Sequence, residues 1–213
     1  MKKIFFLILT AFVASVASAQ YVDADALSVL NKTSDKIKKT TGIKGTFDLT
    51  MNNAQISQKQ TYTGSFALKG DKFKLSLNNV DTYFNGQTQW VYMKENKEVT
   101  ISTPTVDELK EVNPLLLLTS YKTGYQIKKE EDTTYGGKAV YDLKLYPEDK
   151  NAPYFQIRIL IEKTTLNPLL VEARSRNGVT TSVKLKQYQE NQNLSSSTFV
   201  FTPAADDEVI DLR

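Results

Sequence analysis

Residues able to do acid–base, nucleophilic or metal chemistry are scarce in this chain, and their spacing is poor. There is no His and no Cys among the 213 residues. That removes the commonest general base, thiol nucleophiles, disulfides, and imidazole or thiolate metal sites. The densest carboxylates are Glu130, Glu131 and Asp132. Neighbours on a strand point to opposite faces, so they do not converge on one bond and read as a solvated strand end. Asp206, Asp207 and Glu208 lack a calcium-loop pattern and read as a disordered acidic tail. Lys69-Gly70-Asp71-Lys72 reads as a charged hairpin tip, and no Gly-rich phosphate loop occurs. The expectation is a protein without catalytic residues, cofactor or metal.

The apolar residues say more. Leu115, Leu116, Leu117 and Leu118 run consecutively between Pro114 and Gly124, more than one amphipathic face needs. Phe47 with Leu49, Phe66 with Leu68, and Phe73 with Leu75 fall at alternate positions of strand-like segments; Trp90 lies in a further one. On one face of a curved sheet, this set either fills a core or lines a cavity under a leucine flap. Composition does not separate the two.

The elements that must position these residues follow from periodicity. Lys2 and Lys3, the apolar run Ile4 to Val16 and Ala17-Ser18-Ala19 form a secretory signal, with cleavage expected after Ala19. The run is about 13 residues, too short to span a bilayer. Residues 20–213 then form a single exported domain. Lys2 and Lys3 supply two of the three net positive charges, so the mature chain is nearly neutral and unsuited to nucleic acid. A helix is predicted from Asp23 to Lys39, with Leu27, Leu30, Ser34 and Ile37 as its apolar stripe and Gly42 as its stop. Period two begins at Lys44. Strands are predicted at 44–49, 62–68, 73–77, 80–84, 87–93 and 98–102, with Asn85-Gly86 suited to a type I′ turn. An acidic helical turn (107–111) and a short helix opening at Asn113-Pro114 interrupt them. Strands resume at 125–131, 138–146, 154–162, 169–174 and 180–188, and Phe199-Val200-Phe201 looks like a last short one. About eleven antiparallel strands form a sheet that tends to curl, its hollow covered by helices.

Four motifs, in order, carry a resemblance. Gly64-Ser65-Phe66-Ala67-Leu68-Lys69-Gly70-Asp71-Lys72-Phe73 resembles the strand–turn–strand signature of the LolA family of outer-membrane lipoprotein carriers. Phe84-Asn85-Gly86-Gln87-Thr88-Gln89-Trp90-Val91-Tyr92 resembles its next signature, a turn followed by W-x-Y. Val112-Asn113-Pro114 leading into Leu115–Leu118 is similar to its mid-chain helix, and Phe199-Val200-Phe201-Thr202-Pro203 to its closing F-x-F-x-P.

The resemblance implies a mainly β (α+β) fold: an unclosed antiparallel barrel of eleven strands with helices over its apolar concave face. It implies a periplasmic, monomeric chaperone of a Gram-negative envelope. Such a carrier receives lipoproteins from an inner-membrane ABC transporter and passes them to an outer-membrane receptor. Phe66 and Phe73 then sit on the ligand side and Leu115 to Leu118 on the lid. One departure concerns closure. Family members often carry Arg-Pro where this chain has Lys69-Gly70-Asp71, and that Arg bonds to the lid; Lys69 and Lys72 are weak substitutes.

The physics suits such a task. At about 0.8 kcal/mol per CH₂, a free 16-carbon chain costs on the order of 12 kcal/mol in water, so crossing an aqueous compartment requires shielding. A lipid- or envelope-stress sensor of the same architecture is the alternative. An outer-membrane barrel fits less well, because Lys72, Lys74, Lys184 and Lys186 occupy alternate strand positions.

Overall fold

The computed structural model describes residues 23–106, 108, 109, 118 and 121–213. The expected signal sequence and most of the leucine segment lie outside them. Helix α1 spans Ala24–Lys39. Asp23 caps it: the carboxylate accepts from the N–H groups of Asp25 at 2.9 Å and Ala26 at 3.2 Å. Asp25 in the first turn and Lys36, Lys38 and Lys39 in the last complement the helix dipole. The helix ends at Thr40, in extended conformation, rather than at Gly42. Gly42 serves another purpose, since a Cβ there would lie 2.5 Å from the Gln192 carbonyl. The buried stripe is Ala26, Val29, Leu30, Thr33 and Ser34, while Leu27 and Ile37 are only half-buried. Small residues at the contact let the helix axis approach the sheet and shift the stripe from the one predicted.

Among the described residues, one sheet holds every strand. The first meander comprises β1 (Ile43–Asn53), β2 (Gln58–Lys69), β3 (Lys72–Leu77), β4 (Val80–Phe84), β5 (Gln89–Met93) and β6 (Glu98–Ser102). The second comprises β7 (Tyr125–Lys129), β8 (Thr133–Tyr135), β9 (Lys138–Pro147), β10 (Tyr154–Glu162), β11 (Pro168–Ser175) and β12 (Val179–Gln189). Strand β13 (Glu208–Asp211) adds parallel to β6. The order is β13-β6-β5-β4-β3-β2-β1-β12-β11-β10-β9-β7, with β8 on β9. The end strands do not pair, so the antiparallel barrel is unclosed. The two meanders meet where β1 pairs with β12.

Three details depart from the expectations. Among the described residues the sheet has 13 strands, the additions being β8 and β13. The acidic tail is therefore ordered: Lys97 pairs with Asp206, and the Tyr92 hydroxyl donates to Asp207 at 3.1 Å. Ser196–Phe199 is a 3₁₀ turn and Phe201 irregular, so no strand forms at 199–201. The Asn85-Gly86 turn is not type I′, which needs positive φ at both residues. Only Gly86 has it (φ 102°); the Asn85 side chain instead accepts from the N–H groups of Gln87 and Thr88 at 3.0 and 2.9 Å.

Register assigns the faces. Phe47 pairs with Gly64 and Leu185, Phe66 with Leu75, Leu68 with Phe73, and Phe73 with Phe84, so these share the face that α1 covers. Val171, Ile159, Leu143 and Ile127 continue it through the second meander, in one core with Ala26, Val29 and Leu30. The opposite, convex face carries smaller clusters. Ala67 packs with Leu194 and Phe199, and Trp90 with Val99, Ile101 and Phe201, under the segment that follows β12.

Candidate ligand-binding face

Two phenylalanines are seated by two glycines. On β1 and β2, Phe47 lies opposite Gly64 and Gly45 opposite Phe66. A Cβ at Gly64 would overlap the Phe47 ring, and one at Gly45 would lie 2.6 Å from the Phe66 ring. Each ring thus rests flat over the glycine across from it. The rings are 6.4 Å apart, and Phe66 lies at the same distance from Tyr188. Burial raises the pKa of the Tyr188 phenol, with Glu190 adding to the effect, so it stays neutral. Further along the face, the Phe73 and Phe84 rings meet at a tilt of 34° with centroids 5.5 Å apart, and Leu109 covers them. Leu109 comes from a turn with a capping box. The Glu108 carboxylate accepts from the Thr105 N–H at 2.7 Å, and the Thr105 hydroxyl accepts from the Glu108 N–H at 3.3 Å.

Coverage of this face is uneven. Against α1, Leu143, Leu145, Ile159 and Ile161 are fully buried. On β1 to β3, Leu49, Leu68, Leu75 and Leu77 are only half-buried, as are Val80, Val91 and Met93 beyond them. The face also grades in polarity. One register row runs Leu68, Phe73, Phe84, Gln89, Ser102, apolar at β2 to β4 and polar at β5 and β6. The next runs Phe66, Leu75, Thr82, Val91, Thr100. Thr82 and Gln89 are buried polar residues in these rows.

Of the residues expected to line a hollow, Phe47, Leu49, Phe66, Leu68, Phe73 and Leu75 lie together on the helix-covered face. Trp90 does not. It pairs with Tyr83 and Ile101 on the convex face, where Phe201 packs on Tyr83 and Tyr92. Alternation along one strand leaves its phase open, and the four-residue loop after Phe84 decides it. Leu118 is buried in the α1 core beside Tyr121; Leu115, Leu116 and Leu117 lie outside the described residues. Lys69 and Lys72 alternate with Leu68 and Phe73 and so point to the convex side. Lys69 donates to the Leu194 carbonyl at 2.7 Å, which holds it on that side. Phe84, Leu109 and Leu77 also belong to the face but were absent from the expected set. The alternation of β3 already implied Leu77, and the T-x-x-E capping box ahead of Leu109 was a readable sign of a helical turn.

Among the described residues no group of metal-ligating side chains converges. What the fold assembles is an unclosed antiparallel sheet with a helix on its apolar face, an open-barrel class of binding architecture. The particular family follows from the sequence: a model described as outer membrane lipoprotein carrier protein LolA matches residues 16–185, and the chain belongs to that family. It is similar to the outer-membrane lipoprotein carrier protein of Neisseria gonorrhoeae (strain ATCC 700825 / FA 1090), 29% identical over 205 residues, 93% of this chain and 91% of the relative. The protein of the same name from Neisseria meningitidis serogroup B matches to the same extent. Among solved structures, an uncharacterized conserved protein from Thermus thermophilus superposes with a TM-score of 0.62 at 13% identity. That alignment covers 88% of this chain and 99% of the other, and is a likeness of fold alone.

Proposed function

We propose that this protein is a periplasmic carrier that shields the acyl chains of lipoproteins between the inner and outer membranes. Residues 1–19 direct export and residues 20–213 form the carrier domain. Cargo arrives from an inner-membrane transporter and leaves for an outer-membrane receptor of higher affinity, with no chemistry in the carrier. The observation that carries this reading is the half-buried apolar stretch on β1 to β3. Leu49, Leu68, Leu75 and Leu77 are aligned on the face that α1 covers elsewhere, yet keep exposed surface of their own. Such surface is costly unless a partner or ligand uses it. Family membership names the ligand class, acylated protein.

The test is binding of an acylated lipoprotein, or a fluorescent fatty acid, to the purified chain lacking residues 1–19. Leu75→Glu and Leu77→Glu, at half-buried positions, should weaken binding at least tenfold while the thermal transition persists. Leu117→Glu tests the leucine flap in the same assay. Absence of binding by the parent protein would end the proposal.

A further inference from the structure

Gln89 is, with Thr82, one of two buried polar residues in the rows of the apolar face. It is 7% exposed, and its Nε2 finds no hydrogen-bond acceptor among the described residues. Its Oε1 accepts from the Ser102 hydroxyl at 3.4 Å, which leaves the amide N–H₂ as the free end. A buried donor without an acceptor is unfavourable and rare, and its retention calls for a use. Its place in the row indicates one. Gln89 lies directly across from Phe84, which lies across from Phe73, which lies across from Leu68. Facing side chains on neighbouring strands are about 5 Å apart. A hydrocarbon chain that takes the place of Leu109 over Phe73 and Phe84 therefore meets a hydrogen-bond donor as it crosses onto β5, and the Ser102 hydroxyl just beyond.

Acyl chains are joined to protein and glycerol through ester and amide carbonyls, which accept hydrogen bonds and donate none from oxygen. We propose that Gln89 donates from Nε2 to the carbonyl oxygen that ends a bound acyl chain. This orients the ligand, with its hydrocarbon over Phe73 and Phe84 and its polar linkage toward β6. The inference rests on the carrier reading and adds a linkage preference to it. A site built to hydrogen-bond a ligand group rejects an analogue that lacks it, because its own buried group is then left unpaired.

The experiment compares a fluorescent acyl ester with the ether of the same length, which lacks the carbonyl. The parent protein should bind the ester about tenfold more tightly, and the ester C=O stretch should shift to lower frequency when bound. Gln89→Met, close in shape but without the donor, should bind both equally and abolish the shift. Should that variant fail to fold, the infrared shift in the parent protein decides alone, and no shift overturns the inference. Equal binding of ester and ether by the parent, or a preference that survives in Gln89→Met, also overturns it and leaves the carrier reading standing. If neither probe binds the parent protein, the carrier reading fails and takes this one with it.

Discussion

The helix-covered face has two halves built from the same alternation. Beneath α1, the second meander is packed like an ordinary core: Ile159, Ile161, Leu143 and Leu145 are fully buried around Leu30. On the first meander, leucines of the same kind on β1 to β3 are half-buried, and one row ends in Gln89 and Ser102 while the next carries Thr82 and Thr100 on either side of Val91. The first arrangement secures a fold, because close-packed interiors punish lost volume. The second gives up part of that stabilisation and keeps a surface that can accept something else. On the proposed function, stability and binding fall to different halves of one sheet.

Substitutions can break that division. Ile159→Ala, in the packed half, should lower unfolding free energy by about 2–5 kcal/mol in denaturant titration, since it leaves a cavity the core cannot refill. At concentrations where the variant stays folded, acyl-probe affinity should be unchanged. Leu75→Ala, in the open half, should cost under about 2 kcal/mol because the side chain is only partly removed from water, yet weaken the probe several-fold. If both variants behaved alike in both assays, the two halves would not be functionally distinct.

Asp23→Ala probes how α1 is held over the packed half. Besides capping the helix, Asp23 accepts from the Lys129 N–H at 3.2 Å and donates its own N–H to the Ile127 carbonyl at 3.0 Å, covering the edge of β7. Loss of the cap should cost about 1 kcal/mol at neutral pH. The Ala26 N–H holds the Asp23 carboxyl below its ordinary value of 3.8; partial burial opposes this, and the N–H groups of Lys129 and Asp25 reinforce it. With the folded pKa depressed, the stabilisation is fully present above the unfolded value and is lost as pH falls through the folded one. The gap between parent and variant should therefore be constant above about pH 5 and close below about pH 4, as followed by circular dichroism.

The smallest expected effect uses the single tryptophan. Trp90 lies on the convex face, so a brominated fatty acid bound on the other face should quench it weakly. A tryptophan introduced by Leu75→Trp, with Trp90→Phe, should be quenched strongly. Stronger quenching of Trp90 would place the ligand on the wrong side of the sheet.

Much of the architecture was legible beforehand because strand and helix periods are local. β4, β6 and β10 fall where alternation put them, and α1 begins at its capping Asp23. The exceptions depend on distant neighbours. Glu208-Val209-Ile210-Asp211 is too short and too acidic to declare itself a strand; it becomes one because β6 offers an unpaired edge and Lys97 and Tyr92 hold Asp206 and Asp207. Phe199 is buried beside Ala67 and Leu194, so its segment serves as a cover over the convex face instead of as another strand. Spacing put Phe47, Phe66 and Phe73 on apolar strand faces, while the seating of two of them on Gly64 and Gly45 needed the register of β1 against β2.

By itself the sequence determined that this chain forms alternating strands around an apolar set, without His or Cys to do chemistry, and in the motif order of a lipoprotein-carrier family. Only the tertiary structure decided which apolar residues share a face, which put Trp90 on one side and Phe84 and Leu109 on the other. It also decided where a buried amide lies at the end of an aromatic row. Alternation is a property of one strand, whereas its phase against the next is set by loop length and pairing partners far away in the chain.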